Sequence, residues 1–323
     1  MYPLMKTPIA FLIFNRPDTT EKVFERIREA KPLKLLVVAD GPRQDKVGEA
    51  QQCALTRAII DRVDWECETI SNYSNINLGC KRRVSSGIDW VFQQVEEAII
   101  LEDDCLPDLS FFRYCEELLE RYRDDTRIMF ISGDNFQFGR KSTADSYYFS
   151  RCINNTPPIW GWATWRRAWK YYDVDLKLWE NILDDDWLED ILHDRQIVKM
   201  WKQRFQSIYD NRFDTWDYQL VFACWVQNGL IIQPNINLIS NIGYGAAATH
   251  SKGIITEFAN MPAESMSFPL KHSQFMIRDS KADRYSRNSM ERLTRIKQII
   301  SNPSRFKCIL DNYKNNKKSS TDN

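Results

Sequence analysis

Residues 96–107 decide the fold, and they read Glu96-Glu97-Ala98-Ile99-Ile100-Leu101-Glu102-Asp103-Asp104-Cys105-Leu106-Pro107. The apolar run 98–101 is typical of a strand that is buried on both faces of a parallel sheet. Three consecutive carboxylic acids follow it, and free carboxyl groups are ionised at neutral pH. Open α/β sheets bind ligands beyond the carboxyl ends of their strands. The triplet 102–104 is therefore either part of a ligand site or a solvated acidic turn.

A bound divalent cation would offset the repulsion among these three carboxylates. Mg²⁺ and Mn²⁺ are hard ions, which proteins hold through one or two carboxylates together with substrate phosphates. The triplet therefore predicts a site for Mn²⁺ or Mg²⁺ and for the diphosphate of a nucleotide.

The sequence on either side of the triplet alternates between buried strands and helices. Strands are predicted at 8–15, 34–39, 66–70, 98–101 and 127–132, and helices at 19–30, 45–64 and 81–94 and from Asp108 onward. This alternation predicts an α/β protein with a doubly wound, mostly parallel sheet that is flanked by helices.

After residue 140 the pattern is less regular and tryptophan is frequent. Helices are predicted at 164–171, 186–210 and 217–228, and a strand or hairpin over 229–240 returns to the sheet. We therefore expect one main domain over 1–252, a helical C-terminal appendage over 253–313 and a disordered polar tail over 314–323.

Composition excludes some classes of partner. The 44 basic and 44 acidic side chains balance, so no net field favours nucleic acid. The eight cysteines include no CxxC pair, which favours reduced core thiols over disulfides or zinc ligands. The first apolar run spans only 9–14, which predicts a strand rather than a signal peptide. We expect a cytoplasmic protein whose basic helix near 293–300 either packs on its own domain or touches an anionic membrane.

Charged residues also follow the other predicted strands. Arg16 could contact a phosphate or a base, or it could be a surface residue of a turn. Asp40 could accept a hydrogen bond from a ribose hydroxyl or a base N–H, or it could simply form a turn beside Gly41. The basic residues at 81–83 open a helix, where partial positive charge favours anions. They either face the diphosphate or form a solvated helix end.

Five segments, kept in order over residues 8–250, resemble N-acetylglucosaminyltransferase I and its relatives with the GT-A fold. They are Phe14-Asn15-Arg16-Pro17, Val37-Val38-Ala39-Asp40-Gly41, Ile99-Ile100-Leu101-Glu102-Asp103-Asp104-Cys105-Leu106-Pro107-Asp108, Trp160-Gly161-Trp162 and Trp216-Asp217-Tyr218. The resemblance implies a metal-dependent glycosyltransferase of the kind that builds bacterial surface polysaccharides. It would move a sugar from a nucleotide-sugar, with a UDP-sugar favoured, to a glycan or lipid-linked glycan. The donor half would span 1–135 and the acceptor half 136–252.

The same resemblance implies a role for each matching residue. Asp104 would bind the metal, and Glu102 and Asp103 would contact the sugar and ribose of the donor. Asp217 would take the proton from the acceptor hydroxyl, which implies inversion at the anomeric carbon. The other nucleotide-sugar candidates are Asn15, Arg16, Asp40 and Lys81, and the acceptor-side candidates are Trp160, Gly161 and Trp162.

Several of these residues could have a purely structural role instead. An acid at the start of a helix, such as Asp217, is commonly an N-cap, and Asp214 is the nearest rival for the base. His250 follows a segment of small residues and is either a further metal ligand, as in many GT-A enzymes, or an ordinary surface or core histidine. Most of the eleven tryptophans are expected to pack in the core.

Two other functions compete with a glycosyltransferase. A nucleotidyltransferase would make the activated sugar, but the first strand lacks a glycine-rich, basic loop for a triphosphate. A non-catalytic module on the same fold would bind the donor without turnover. The GxGxxG and GxxxxGK[ST] patterns are absent, which argues against a dinucleotide fold or a P-loop.

Overall fold

Strands and helices alternate along the first part of the chain, as the sequence predicts. The computed structural model describes residues 5–142, 146–151, 157–243 and 260–289. The elements up to residue 132 are β1 (Ile9–Ile13), α1 (Pro17–Ala30), β2 (Lys34–Ala39), α2 (Glu49–Ala58), β3 (Glu68–Tyr73), α3 (Gly79–Gln94), β4 (Glu97–Glu102), β5 (Cys105–Pro107), α4 (Leu109–Arg121) and β6 (Ile128–Ser132). Pro17 occupies the first turn of α1, where its missing N–H costs nothing. Asp108 caps α4 by accepting a hydrogen bond from the Ser110 N–H at 2.9 Å.

The second part of the chain differs from the sequence-based prediction at three places. Its elements are β7 (Tyr148–Arg151), β8 (Trp162–Trp165), α5 (Arg166–Trp169), α6 (Trp179–Ile182), α7 (Trp187–Leu192), α8 (Arg195–Tyr209), α9 (Asp217–Val226), β9 (Leu230–Pro234) and β10 (Ile239–Asn241). The predicted helix over 164–171 is wrong at its start, because β8 occupies 162–165. The predicted helix over 186–210 is two helices, because His193 is left-handed and Asp194 caps α8. Of the predicted strand or hairpin over 229–240, the strand is confirmed, because β9 joins the sheet, and the hairpin is wrong, because β10 pairs with β5 and not with β9.

Eight strands form one α/β sheet that is mostly parallel, in the order β3-β2-β1-β4-β8-β6-β9-β7. The strands β3, β2, β1 and β4 are parallel, and β8 lies antiparallel between β4 and β6. All five residues of β1 are buried, which fits its continuous apolar sequence. Because β1, β2 and β4 are parallel neighbours, their carboxyl ends meet at one edge of the sheet.

The sheet separates two hydrophobic cores. One lies under α3, α8 and α9 and contains the buried side chains of Trp201 and Trp225. The other lies under α1 and α4 and contains Phe24, Phe111 and Leu118. Helices therefore cover both faces of the sheet.

The described residues of the predicted C-terminal appendage, 260–289, contact the main domain. Asn260 N–H donates to the Asn241 carbonyl at 3.0 Å, and Gln137 Nε2 donates to the Ala282 carbonyl at 3.1 Å. The predicted basic helix near 293–300 and the tail 314–323 lie outside the described residues. Across the described ranges, every helix is too short or too polar to cross a membrane.

Candidate functional site

A cavity of about 580 Å³ lies at the carboxyl ends of β1, β2 and β4. Its walls are the loops that follow these strands, the start of α3 and the segment that precedes α9. The predicted site residues that line it are Arg16, Asp40, Glu102, Asp103, Asp104, Trp160 and Asp217. Residues that are far apart in sequence therefore share one space.

The acidic triplet forms the centre of this cavity. Asp103 Oδ2 accepts the N–H of Phe14 at 3.0 Å, which ties the end of β4 to the end of β1. Arg16 Nη1 lies 2.6 Å from Asp104 Oδ2 and 3.9 Å from Asp103 Oδ1. Burial, together with the negative charge of Asp104, raises the pKa values of Glu102 and Asp103 above those of ordinary carboxyl groups. Additional positive charge would therefore be bound favourably here.

The surroundings of Asp104 fit a divalent cation with one protein ligand. A Cβ on Gly243 would lie 2.0 Å from Asp104 Oδ2, so a larger residue at 243 would displace this carboxylate, whose Oδ2 also contacts Arg16 Nη1. Within the described ranges, no group of three or more His, Cys, Asp or Glu side chains is arranged to hold a metal ion. Phosphate oxygens of a substrate would therefore have to complete the coordination. His250, the second predicted ligand, lies outside the described residues.

Asp40 organises the loop that leads into α3. Its carboxylate accepts the N–H groups of Gly41 and Leu78 at 2.9 Å each and that of Gly79 at 3.2 Å. The Asn77 amide donates to it at 3.0 Å. Burial raises the pKa of this carboxyl, and the backbone donors oppose that shift. Its acceptor capacity is thus largely used to fix one wall of the cavity.

Two predicted nucleotide contacts, Lys81 and Asn15, lie behind the cavity wall. Lys81 is buried, and its Nζ lies 2.7 Å from Asn211 Oδ1 and 3.7 Å from Asp175. Asn15 Nδ2 donates to Glu49 Oε1 at 2.9 Å. Neither side chain lines the cavity.

Asp217 and Asp214 both line the cavity but have different partners. Asp217 is the first residue of α9, and its carboxylate accepts the Tyr218 N–H at 2.9 Å and the Thr215 hydroxyl. Burial raises its pKa. Asp214 Oδ1 instead accepts the Lys81 N–H at 2.9 Å, which satisfies an N–H in the first turn of α3. Asp214 therefore links α3 to the segment before α9, whereas both of these hydrogen bonds of Asp217 are made within residues 215–218 and to its Oδ1.

Of the three predicted acceptor-side residues, Trp160 lines the cavity and Gly161 and Trp162 do not; Pro157 and Ile159 of the same segment also line it. The Trp160 N–H donates to Asp134 Oδ2 at 3.0 Å. Gly161 lies against Ile239, where a Cβ would approach a side-chain carbon to 2.5 Å. Trp162 is buried and stacks on Trp216 with ring centroids 5.9 Å apart.

Two arginines line the cavity besides Arg16: Arg83, which belongs to the basic group 81–83 predicted to open a helix, and Arg43, which was not identified from the sequence. Arg83 is buried, and its Nε donates to the Ala39 carbonyl at 3.1 Å. Arg43 follows β2 and is held by Glu49. The signal that was available for Arg43 was its position three residues after Asp40, in the loop at the carboxyl end of a strand.

The comparisons with known proteins give weak matches. No protein-family model and no curated protein matches the chain. Solved structures that match include a UDP-glucose pyrophosphorylase complexed with UDP-glucose, with a TM-score of 0.34, 9% identity and coverage of 71% of this chain and 90% of that one. The inositol-1-phosphate CTP transferase from T. maritima matches with a TM-score of 0.38, 9% identity and coverage of 77% and 94%. Mouse xyloside xylosyltransferase 1 matches with a TM-score of 0.30, 10% identity and coverage of 67% and 81%.

Proposed function

We propose that the protein is a metal-dependent glycosyltransferase, which moves a sugar from a nucleotide-sugar to a hydroxyl of a glycan. The observation that carries this proposal is that the triplet Glu102–Asp104 and Asp217 line the same cavity. The carboxylates of the triplet 102–104 can hold a cation together with a diphosphate. The Asp217 carboxylate is then available to accept a proton.

The donor would lie across the carboxyl ends of β1, β2 and β4, with Asp104 as the ligand of Mn²⁺ or Mg²⁺. Such a cation neutralises the charge that grows on a leaving diphosphate. Arg16, which contacts Asp104, supplies a further positive charge at the same place. A UDP-sugar is the favoured donor.

Asp217 would act as the general base. The acceptor hydroxyl oxygen bonds to the anomeric carbon, the bond from that carbon to the diphosphate oxygen breaks, and Asp217 takes the hydroxyl proton. Its raised pKa makes it a stronger base than an exposed aspartate. The Thr215 hydroxyl and the Tyr218 N–H hold its orientation. Attack on the side opposite the leaving group gives inversion.

The acceptor would enter beside Trp160, whose partly buried ring lines the cavity. Aromatic rings offer a large apolar face with specific contact geometry, and such a face suits the ring of a saccharide. The acceptor is proposed to be a glycan or a lipid-linked glycan.

A nucleotidyltransferase remains the rival. It would have to grip a nucleoside triphosphate at the end of β1. Only three residues, 14–16, connect β1 to α1, and none of them is glycine. This short connection favours a diphosphate donor.

The test is a transfer assay with UDP-, GDP- and CDP-sugars, Mn²⁺ and a panel of saccharide acceptors, with the released nucleoside diphosphate as the readout. Asp217→Asn should lower kcat by about 10²–10⁴-fold and leave nucleotide binding unchanged. Asp214→Asn is the matched comparison and should lower kcat less. A wild-type kcat for Asp217→Asn would exclude the proposed base. Release of pyrophosphate from a nucleoside triphosphate and a sugar phosphate would establish the rival activity instead.

A further inference from the structure

Glu49 is a buried carboxylate that the proposed reaction does not use. Only 6% of its surface is exposed. It accepts the Arg43 N–H at 2.6 Å, Arg43 Nε at 3.0 Å and Asn15 Nδ2 at 2.9 Å. Arg43 Nη2 is also bound to it. The bond to Arg43 lowers the pKa of Glu49, so this carboxylate stays charged and holds the guanidinium in place.

The arrangement leaves one edge of the guanidinium available. Arg43 Nε and Nη2 face Glu49, and Arg43 Cζ lies 5.7 Å from the centroid of the Phe14 ring. Nη1, on the remaining edge, has no hydrogen-bond partner among the described residues. Arg43 and Phe14 both line the cavity. A ligand in this space can therefore meet a fixed pair of N–H donors.

The strand order fixes which part of a donor would lie there. Arg43 follows β2, the acidic triplet follows β4, and Trp160 precedes β8. Since the strands are ordered β2-β1-β4-β8, Arg43 and Trp160 lie on opposite sides of the triplet. With the diphosphate at Asp104 and the acceptor beside Trp160, the nucleoside falls on the side of Arg43.

We propose that Arg43 selects the nucleobase of the donor and favours a base whose carbonyl group lies at C4 of a pyrimidine or C6 of a purine, as in uracil and guanine. The proposal rests on the proposed function, since it assumes that a nucleotide occupies this cavity. A guanidinium has only donors and no acceptor. It can bond to O4 of uracil or O6 of guanine, whereas cytosine and adenine carry an amino group at the corresponding position. Glu49 and Asn15 are positioning residues for Arg43.

The experiment measures the Kd of UDP, GDP, CDP and ADP by calorimetry in the presence of Mn²⁺. Wild type should bind UDP or GDP roughly 5- to 150-fold more tightly than CDP and ADP. Which of UDP and GDP binds more tightly identifies the base. Arg43→Gln should abolish this preference. Glu49→Gln, which keeps Arg43 but weakens its support, should reduce the preference. Thermal unfolding of each variant checks that it is folded.

Arg62 provides a matched control. It also pairs with glutamates, Glu21 at 2.6 Å and Glu25 at 2.8 Å, and lies over an aromatic ring, that of Phe24 at 5.9 Å. It does not line the cavity, so Arg62→Gln should keep the wild-type ratios of Kd values.

Three outcomes would overturn the proposal while nucleotide binding stands. They are equal Kd values for all four nucleotides in wild type, a preference for CDP or ADP, and an Arg43→Gln variant that binds every nucleotide more weakly with unchanged ratios. The last result would make Arg43 a phosphate contact. Failure of wild type to bind any nucleotide would instead overturn the proposed function as well.

Discussion

Replacing Asp134 by asparagine should remove a loss of stability that grows with pH. Asp134 follows β6 and has no exposed surface. One oxygen, Oδ2, accepts the Trp160 N–H, and the other, Oδ1, accepts no hydrogen bond from the described residues. Burial raises the pKa of this carboxyl to about 8. The folded protein therefore holds a neutral carboxylic acid here at pH 7.

The sign of the effect follows from the two pKa values. The ordinary value is 3.8, so the carboxyl is protonated in both the folded and the unfolded state below about pH 4. Between about pH 4 and pH 8 only the unfolded chain releases the proton, which favours unfolding. The slope is at most about 1.4 kcal/mol per pH unit for one group. From pH 5 to pH 7, the unfolding free energy of wild type should therefore fall by roughly 3 kcal/mol relative to that of Asp134→Asn.

The assay is urea unfolding of wild type and Asp134→Asn at pH 5, 6 and 7. The difference in unfolding free energy between the two proteins should move in favour of the variant as pH rises. Other buried carboxyls, such as Glu102 and Asp103, titrate in both proteins and cancel in this difference. A change in stability that the asparagine amide causes equally at every pH does not affect how this difference varies with pH. A difference that is independent of pH would refute the argument that Asp134 is buried as a neutral acid.

Two glycine substitutions test packing around the cavity. Gly243→Ala places a Cβ 2.0 Å from Asp104 Oδ2. Calorimetry should show that it raises the Kd for Mn²⁺-dependent nucleotide binding by about 10- to 100-fold. An unchanged Kd would show that the Asp104 carboxylate does not take part in this binding. Gly87→Ala places a Cβ 2.4 Å from Val38 Cγ1 on β2, and urea unfolding should show a loss of about 1–3 kcal/mol. Adding Val38→Ala should recover part of that loss, and a Gly87→Ala protein as stable as wild type would contradict the close packing of α3 on β2.

The strands that frame the cavity could be predicted because their signals are local. Each of β1, β2 and β4 contains most of a short continuous apolar run, and a polar residue follows each run directly: Asn15, Asp40 and Glu102. Such runs indicate parallel strands with both faces covered. The triplet 102–104 and Asp40 could be placed at one edge of the sheet from this pattern alone, because parallel strands end together.

The strand β8 could not be predicted, because its sequence has no period that separates a strand from a buried helix. All four residues of 162–165 are buried, so no polar face alternates with an apolar one. Its conformation depends on pairing of Ala163 with Ile99 of β4 and with Ile131 of β6. These partners are distant in sequence.

The sequence also did not predict where a polar side chain at the end of a helix or strand would point. Lys81 opens α3 as predicted, but its ammonium group bonds to Asn211, which lies 130 residues later in the chain. Asn15 faces Glu49, which the helical pattern of α2 did not mark as buried. Arg43 was missed for the same reason, since its orientation depends on that buried carboxylate.

The most direct test of the account is a calorimetric titration of UDP, GDP and CDP, each with and without Mn²⁺, on wild type and Asp104→Ala. Asp185→Ala is the matched control, since 184–186 is a second acidic triplet that is exposed. We predict that at least one nucleotide binds only with metal, that Asp104→Ala abolishes this binding, and that Asp185→Ala preserves it. Absence of binding to every nucleotide with metal present, or equal binding by wild type and Asp104→Ala, would contradict a donor site at the end of β4.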